Sequence, residues 1–127
     1  MQQLDPTAQA ALARARMEAE LWNHAAIGPR HLLLGILREA PEAAAWLRRR
    51  GLDPVALQAE VERDLAPGPR PETGTLPFEG GARRVLERAA EAARAAGQAT
   101  IEAVRLLEAL LADGAVAVAA RALDQRA

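Results

Sequence analysis

The sequence predicts an all-α fold made of two related helical repeats, about four helices followed by three, and three observations carry that prediction. Half of the 127 residues are apolar, yet there are only two Trp, one Phe and no Tyr. A core must then be assembled from Ala, Leu, Ile and Val, and the abundant Ala and Leu are strong helix formers, whereas strands favour β-branched and aromatic residues. The apolar residues recur at helical spacing: Ala8, Ala11, Leu12, Ala15, Ala19 and Trp22 share one face, as do Ala82, Val85, Leu86, Ala89 and Ala93. The chain also matches itself after a shift of 74 residues, the step from Leu4 to Phe78. That shift lays Ala8 on Ala82, Leu12 on Leu86, Ala15 on Ala89 and Ala19 on Ala93. Without a gap it continues through Ile27 on Ile101, Leu32 on Leu106, Leu33 on Leu107 and Leu37 on Leu111.

In chain order, Leu4 and Phe78 each precede the first helix of a copy, where an apolar residue can fold back as a hydrophobic staple. Asn23 and Gly97 follow those helices at equivalent positions, and both residue types tolerate the left-handed conformation that ends a helix. Gly28-Pro29 starts the next helix, because proline at the first helical position loses no hydrogen bond. His31 to Leu37 is apolar nearly all round, which predicts a central helix. A third helix is expected from about Pro41 to Arg50, ending at Gly51. Asp53-Pro54 then supplies a cap and a first-turn proline for a fourth, with Leu57, Val61 and Leu65 in a stripe. Copy one thus occupies about residues 4–65. The four prolines and three glycines of 66–80 read as a linker. Copy two, about 81–127, repeats two helices and adds a third near Val116–Leu123, with no counterpart of the Asp53–Leu65 helix. Its apolar stripe of Leu106, Leu110, Val118 and Leu123 is expected to be partly uncovered. Both tryptophans are expected in the core, with Trp46 the better surface candidate.

Charge and composition exclude several functions. Sixteen Arg, no Lys and seventeen acidic residues leave a net charge of −1, which offers no general attraction to nucleic acid or to an acidic membrane face. No Cys is present, so thiolate chemistry and disulfides are excluded. The N-terminal residues lack a targeting pattern and no apolar run approaches the roughly 20 residues that span a bilayer. A soluble cytoplasmic protein is the expectation.

Asn23 to Gly35, N-H-A-A-I-G-P-R-H-L-L-L-G, holds both histidines. As zinc ligands they would want i, i+4 spacing on one helix, whereas His24 and His31 straddle a helix break. Copy two replaces them with Gln98 and Arg105, so the fold does not require imidazole. Neither a Gly-rich phosphate loop, a nucleophile elbow nor a facing carboxylate pair is present. No catalytic, metal or cofactor residue is expected. Arg48-Arg49-Arg50 complements the C-terminal end of its helix; it is also the densest basic patch and a possible site for an anion or acidic partner. Arg30, Trp46, Arg48 and Arg49 are the candidate protein-binding residues.

The start L-D-P-T-A-Q-A-A-L-A-R-A, the centre N-H-A-A-I-G-P-R-H-L-L-L-G-I-L-R-E and the weaker second copy L-P-F-E-G-G-A-R-R-V-L through I-E-A-V-R-L-L-E-A-L-L resemble the duplicated N-terminal domain of Clp-type AAA+ unfoldases, the Clp repeat domain. The resemblance covers almost the whole chain. It implies two similar units related by a pseudo-twofold axis and a domain that has no catalysis of its own, binds adaptors or substrates, and hands them to an ATPase ring. The ring's G-x-x-x-x-G-K-[ST] loop is absent from this sequence. A leading Met1 favours a stand-alone chain over an excised piece of a longer protein. Some family members recognise phosphoarginine through an acidic residue just before the histidine of I-G-x-x-H. Here Arg30 and Val104 stand at those positions, so that ligand is not expected. Glu102 also replaces Gly28 in copy two. The expected function is a protein-binding module that works with a Clp ATPase, adaptor or substrate, as an accessory subunit or an adaptor decoy. The alternative is a structural helical protein that forms homo-oligomers.

Overall fold

Proline, aspartate and glycine mark where the helices begin and end. The computed structural model describes residues 3–68, 76–112 and 114–126. Helix α1 (Pro6–Leu21) opens on Asp5, whose side chain accepts the Ala8 N–H at 2.7 Å; this satisfies a donor that the helix itself leaves unpaired. Asn23, at φ 57°, turns the chain out of it. Helices α2 (Pro29–Glu39), α3 (Pro41–Arg49) and α4 (Pro54–Arg63) all begin on proline. Asp53 caps α4 through the Val55 N–H, and Gly51 takes the left-handed turn before it at φ 79°. In copy two, α5 (Gly80–Ala95), α6 (Ala103–Ala112) and α7 (Gly114–Arg126) follow. Four helices and then three are present among the described residues. Much of the linker expected at 66–80 lies outside them.

Leu4 and Phe78 do not act as staples. The fourth helical positions, Gln9 and Arg83, are polar, so no apolar partner waits on the first turn. Each residue instead pairs with the other copy. Strand β1 (Gln3–Leu4) lies parallel to β2 (Thr100–Ile101), with Leu4 opposite Ile101, while Phe78 bridges Ile27 in the same sense. Asp5 donates its N–H to the Ile101 carbonyl at 3.0 Å, and Glu79 donates to Ile27 at 2.9 Å. The sequence shift exchanges these two pairings, which is the signature of a pseudo-twofold axis running between the copies.

Small residues let α1 and α2 approach closely. Ala8, Ala11, Ala15 and Ala19 are buried on α1, and Gly35 of α2 lies where an added Cβ would meet the Ala11 carbonyl and the Ala15 nitrogen. Helix α2 is central, as its composition requires, with His31 through Ile36 buried. On one flank the buried Glu18 carboxylate is ion-paired with Arg38 and Arg14.

The apolar stripe of copy two is partly uncovered, as expected: Leu106 and Leu110 are fully buried because α7 folds back over α6, α2 and α4, whereas Val118 is 57% exposed and Leu123 is only partly buried. The placement of the tryptophans is corrected. Neither tryptophan is a core residue. Both are partly exposed: Trp46 packs on the margin of the core beneath the Arg50 guanidinium, 4.1 Å from its ring centre, and Trp22 lies outside the core cluster. Glu102 preserves the turn that Gly28 makes in copy one, since its carbonyl accepts from Arg105 and Leu106 to open α6.

Candidate protein-binding groove

A cavity of about 460 Å³ opens where the first turns of α2 and α5 meet the segment after α4 and the α6–α7 corner. Its basic lining is Arg30, Arg84 and Arg88, and its acidic lining is Asp64 and Glu79. Glycine makes the junction possible. A Cβ on Gly81 would stand 3.1 Å from the ring of Pro29, and one on Gly28 only 2.6 Å from Oε2 of Glu79. The Glu79 carboxylate is thus laid onto Gly28.

The two histidines form the groove's wall. Gly28 donates its N–H to His31 Nδ1 at 2.9 Å, so that nitrogen carries no proton. His31 Nε2 must then donate to His24 Nδ1 at 2.7 Å, and His24 Nε2 to the Ala66 carbonyl at 2.7 Å. This chain of bonds ties the end of α1, the start of α2 and the segment after α4 together. Gly68 closes the same clasp by donating to the Trp22 carbonyl. Burial, then His24 and then Arg30, lowers the His31 pKa from 6.5 to about 4, because a cation here would lose hydration and face positive neighbours. All four ring nitrogens are engaged in hydrogen bonds, so neither ring presents a lone pair to an ion. No group of three or more potential metal ligands occurs among the described residues.

Of the four residues singled out from sequence, only Arg30 lines this groove. Trp46 borders a second, smaller hollow with Arg50, Glu108, Leu111 and Ala112. Arg48 and Arg49 are exposed on α3 and line neither cavity. Arg84 and Arg88 escaped sequence reasoning. The available signal was a basic first half of α5 directly after Gly80-Gly81, but nothing in the linear order places that turn beside Arg30.

The chain matches the family model of the Clp repeat (R) N-terminal domain over residues 3–125. It belongs to the Clp repeat N-terminal domain family. It is 35% identical over 118 residues to the chaperone protein ClpB of Oceanobacillus iheyensis, a match that covers 92% of this chain and 14% of that one. The figures are the same for the negative regulator of genetic competence ClpC/MecB of Bacillus subtilis. The chain therefore spans about a seventh of the length of these curated relatives. Among solved structures, the Hsp104 N-terminal domain from Candida albicans superposes with a TM-score of 0.84 at 17% identity, covering 95% of this chain and 81% of that one; at that identity the likeness speaks for the fold alone. The N-terminal domain of the ClpV1 ATPase from the E. coli EAEC Sci1 T6SS has a TM-score of 0.72 at 26% identity, covering 87% and 69%.

Proposed function

We propose that the chain is a non-catalytic protein-binding module that docks adaptors or substrates for Clp-type chaperone or protease machinery. The observation that carries this reading is that a Clp N-terminal domain match extends over nearly the whole sequence, in which no nucleotide-binding loop is present. Without that loop's lysine, indeed without any lysine, the chain has no means of gripping ATP phosphates in the P-loop manner. What the fold offers instead is surface, in particular the open groove between α2 and α5. A matching solved structure, at 27% identity and a TM-score of 0.71, is described as a peptide from the EAEC T6SS Sci1 SciI protein, which supports a polypeptide partner. The same reading has the module act in the cytoplasm, as a free accessory subunit, an adaptor decoy, or the leading part of an ATPase.

Capture from an extract of the source cell, with the purified chain as bait, tests the proposal. A Clp ATPase or one of its adaptors should be retained, and the bait should be a concentration-independent monomer in light scattering. A stable homo-oligomer that retains neither protein would instead support the structural alternative, for which the exposed Val118, Val55 and Leu21 are the relevant surface.

A further inference from the structure

Two arginine guanidinium groups lie near the N-terminal ends of helices in the groove. Arg30 lies in the first turn of α2, half-buried, and Arg84 is an exposed residue of the second turn of α5 with its guanidinium folded back toward the helix start, Nη1 3.8 Å from a Cβ built on Gly80 and Nη2 3.8 Å from one built on Gly81. The N-terminal end of a helix carries partial positive charge and favours anions, so a cation there is disfavoured unless something negative accompanies it. Neither arginine has an ion-pair partner among the described residues. Asp64 and Glu79 share the groove but pair with neither, and the Glu79 carboxylate is turned onto Gly28.

The pseudo-twofold repeat supplies an internal comparison. The positions equivalent to Arg30 and Arg84 are the neutral Val104 and Ala10. At the site equivalent to His31, Arg105 is already neutralised: its Nε donates to Gln98 at 3.1 Å and its Nη1 pairs with Glu108 at 3.5 Å, while Gln98 reaches Glu102. None of these four residues, Gln98, Glu102, Val104 and Arg105, lines the large cavity. One pseudo-equivalent site has satisfied itself, and the other is left open with two guanidinium groups that have no ion-pair partner among the described residues.

We infer that the groove between α2 and α5 binds an acidic segment of a partner polypeptide, its Asp or Glu carboxylates bridging Arg30 and Arg84. This rests on the protein-binding reading and names the chemistry of its partner. A planar guanidinium matches a carboxylate with two parallel hydrogen bonds, and both lie where helix ends add to the attraction.

Fluorescence anisotropy on the intact chain, with a labelled Glu-rich peptide, its Gln counterpart and a phosphoserine peptide of equal length, tests the inference. The Glu-rich peptide should bind, the Gln peptide should not, and added salt should weaken the binding. Arg30→Gln and Arg84→Gln should each weaken it about tenfold, the double charge reversal R30E/R84E should abolish it, and Arg48→Gln should leave it unchanged. Thermal melts followed by circular dichroism confirm that the variants are folded; should the reversal fail to fold, the two Gln variants decide alone. Equal binding of Glu and Gln peptides, indifference to the Arg30 and Arg84 variants, or binding of the phosphopeptide alone would overturn the inference. If the Arg30 and Arg84 variants still capture a Clp protein while no acidic peptide binds, this inference falls and the protein-binding reading stands. If the unaltered chain captures nothing, the broader reading falls with it.

Discussion

His31 shows how one side chain acquires a task its residue type does not announce. It is 3% exposed, accepts from the Gly28 backbone and donates to His24, and so is held neutral. Its folded pKa of about 4 lies below the unfolded value of 6.5, so the unfolded chain takes up the proton first as pH falls. The stability gained from the neutral ring is fully present above pH 6.5 and is lost progressively down to about pH 4, a change on the order of 3 kcal/mol. Urea titrations at pH 7 and pH 4.5 should reveal it. His31→Gln has no titrating ring and should lose distinctly less stability between the two pH values than the unaltered chain; parallel losses would show that the ring is not responsible. The same residue separates two levels of reasoning. Copy two, with Arg105 at this position, shows from sequence that imidazole is dispensable to the fold, yet only coordinates show that His31 and His24 clasp three segments at the edge of the groove.

At the scale of elements, the crossing of α1 and α2 depends on absent side chains. Ala11 and Ala15 on one helix face Gly35 on the other, and the nearest atoms to a Cβ at Gly35 are backbone atoms of α1, which cannot swing aside. Gly35→Ala, a change that raises intrinsic helix propensity, should therefore destabilise the protein by about 2–3 kcal/mol through overpacking, opposite in sign to the propensity effect. Chemical denaturation of the variant checks this, and a gain in stability would mean that the helices are free to separate. Most helix limits were legible because they rest on local chemistry: Asp53 caps, Pro29, Pro41 and Pro54 start, Asn23, Gly51 and Gly97 stop. The staples at Leu4 and Phe78 were misjudged because an apolar residue beside a helix start can pack locally or across the molecule, and linear spacing does not distinguish the two.

Across the whole molecule the copies are interlocked rather than placed side by side. Each contributes one short extended segment to the other, Leu4 to Ile101 and Phe78 to Ile27, and a single core includes Leu33 of one copy and Leu107 of the other. Unfolding should then be one cooperative event. Leu107→Ala removes a fully buried side chain from copy two and should cost about 2–5 kcal/mol. Both tryptophans belong to copy one, so their fluorescence reports on the half that was not altered. The fluorescence and far-ultraviolet circular dichroism midpoints should fall together; two separate midpoints would mean that the copies fold independently.

By itself the sequence determined the fold class, the duplication, most of the helix limits and the family, because all of these follow from local propensities and from a repeated order of residues; the last helix, expected near Val116–Leu123, runs from Gly114 to Arg126. Tertiary structure alone decided which residues share a surface. Arg30 and Arg84 lie in different copies, with the 66–80 linker between them, and they line one cavity only because the fold brings the starts of α2 and α5 together. It also decided that Trp46, Arg48 and Arg49 lie away from that groove, and that within the partly uncovered stripe Leu106 and Leu110 are buried while Val118 stays exposed. The physical reason is the same in each case. Helix formation is dictated within a few residues, whereas burial and the neutralisation of charge depend on partners far away along the chain.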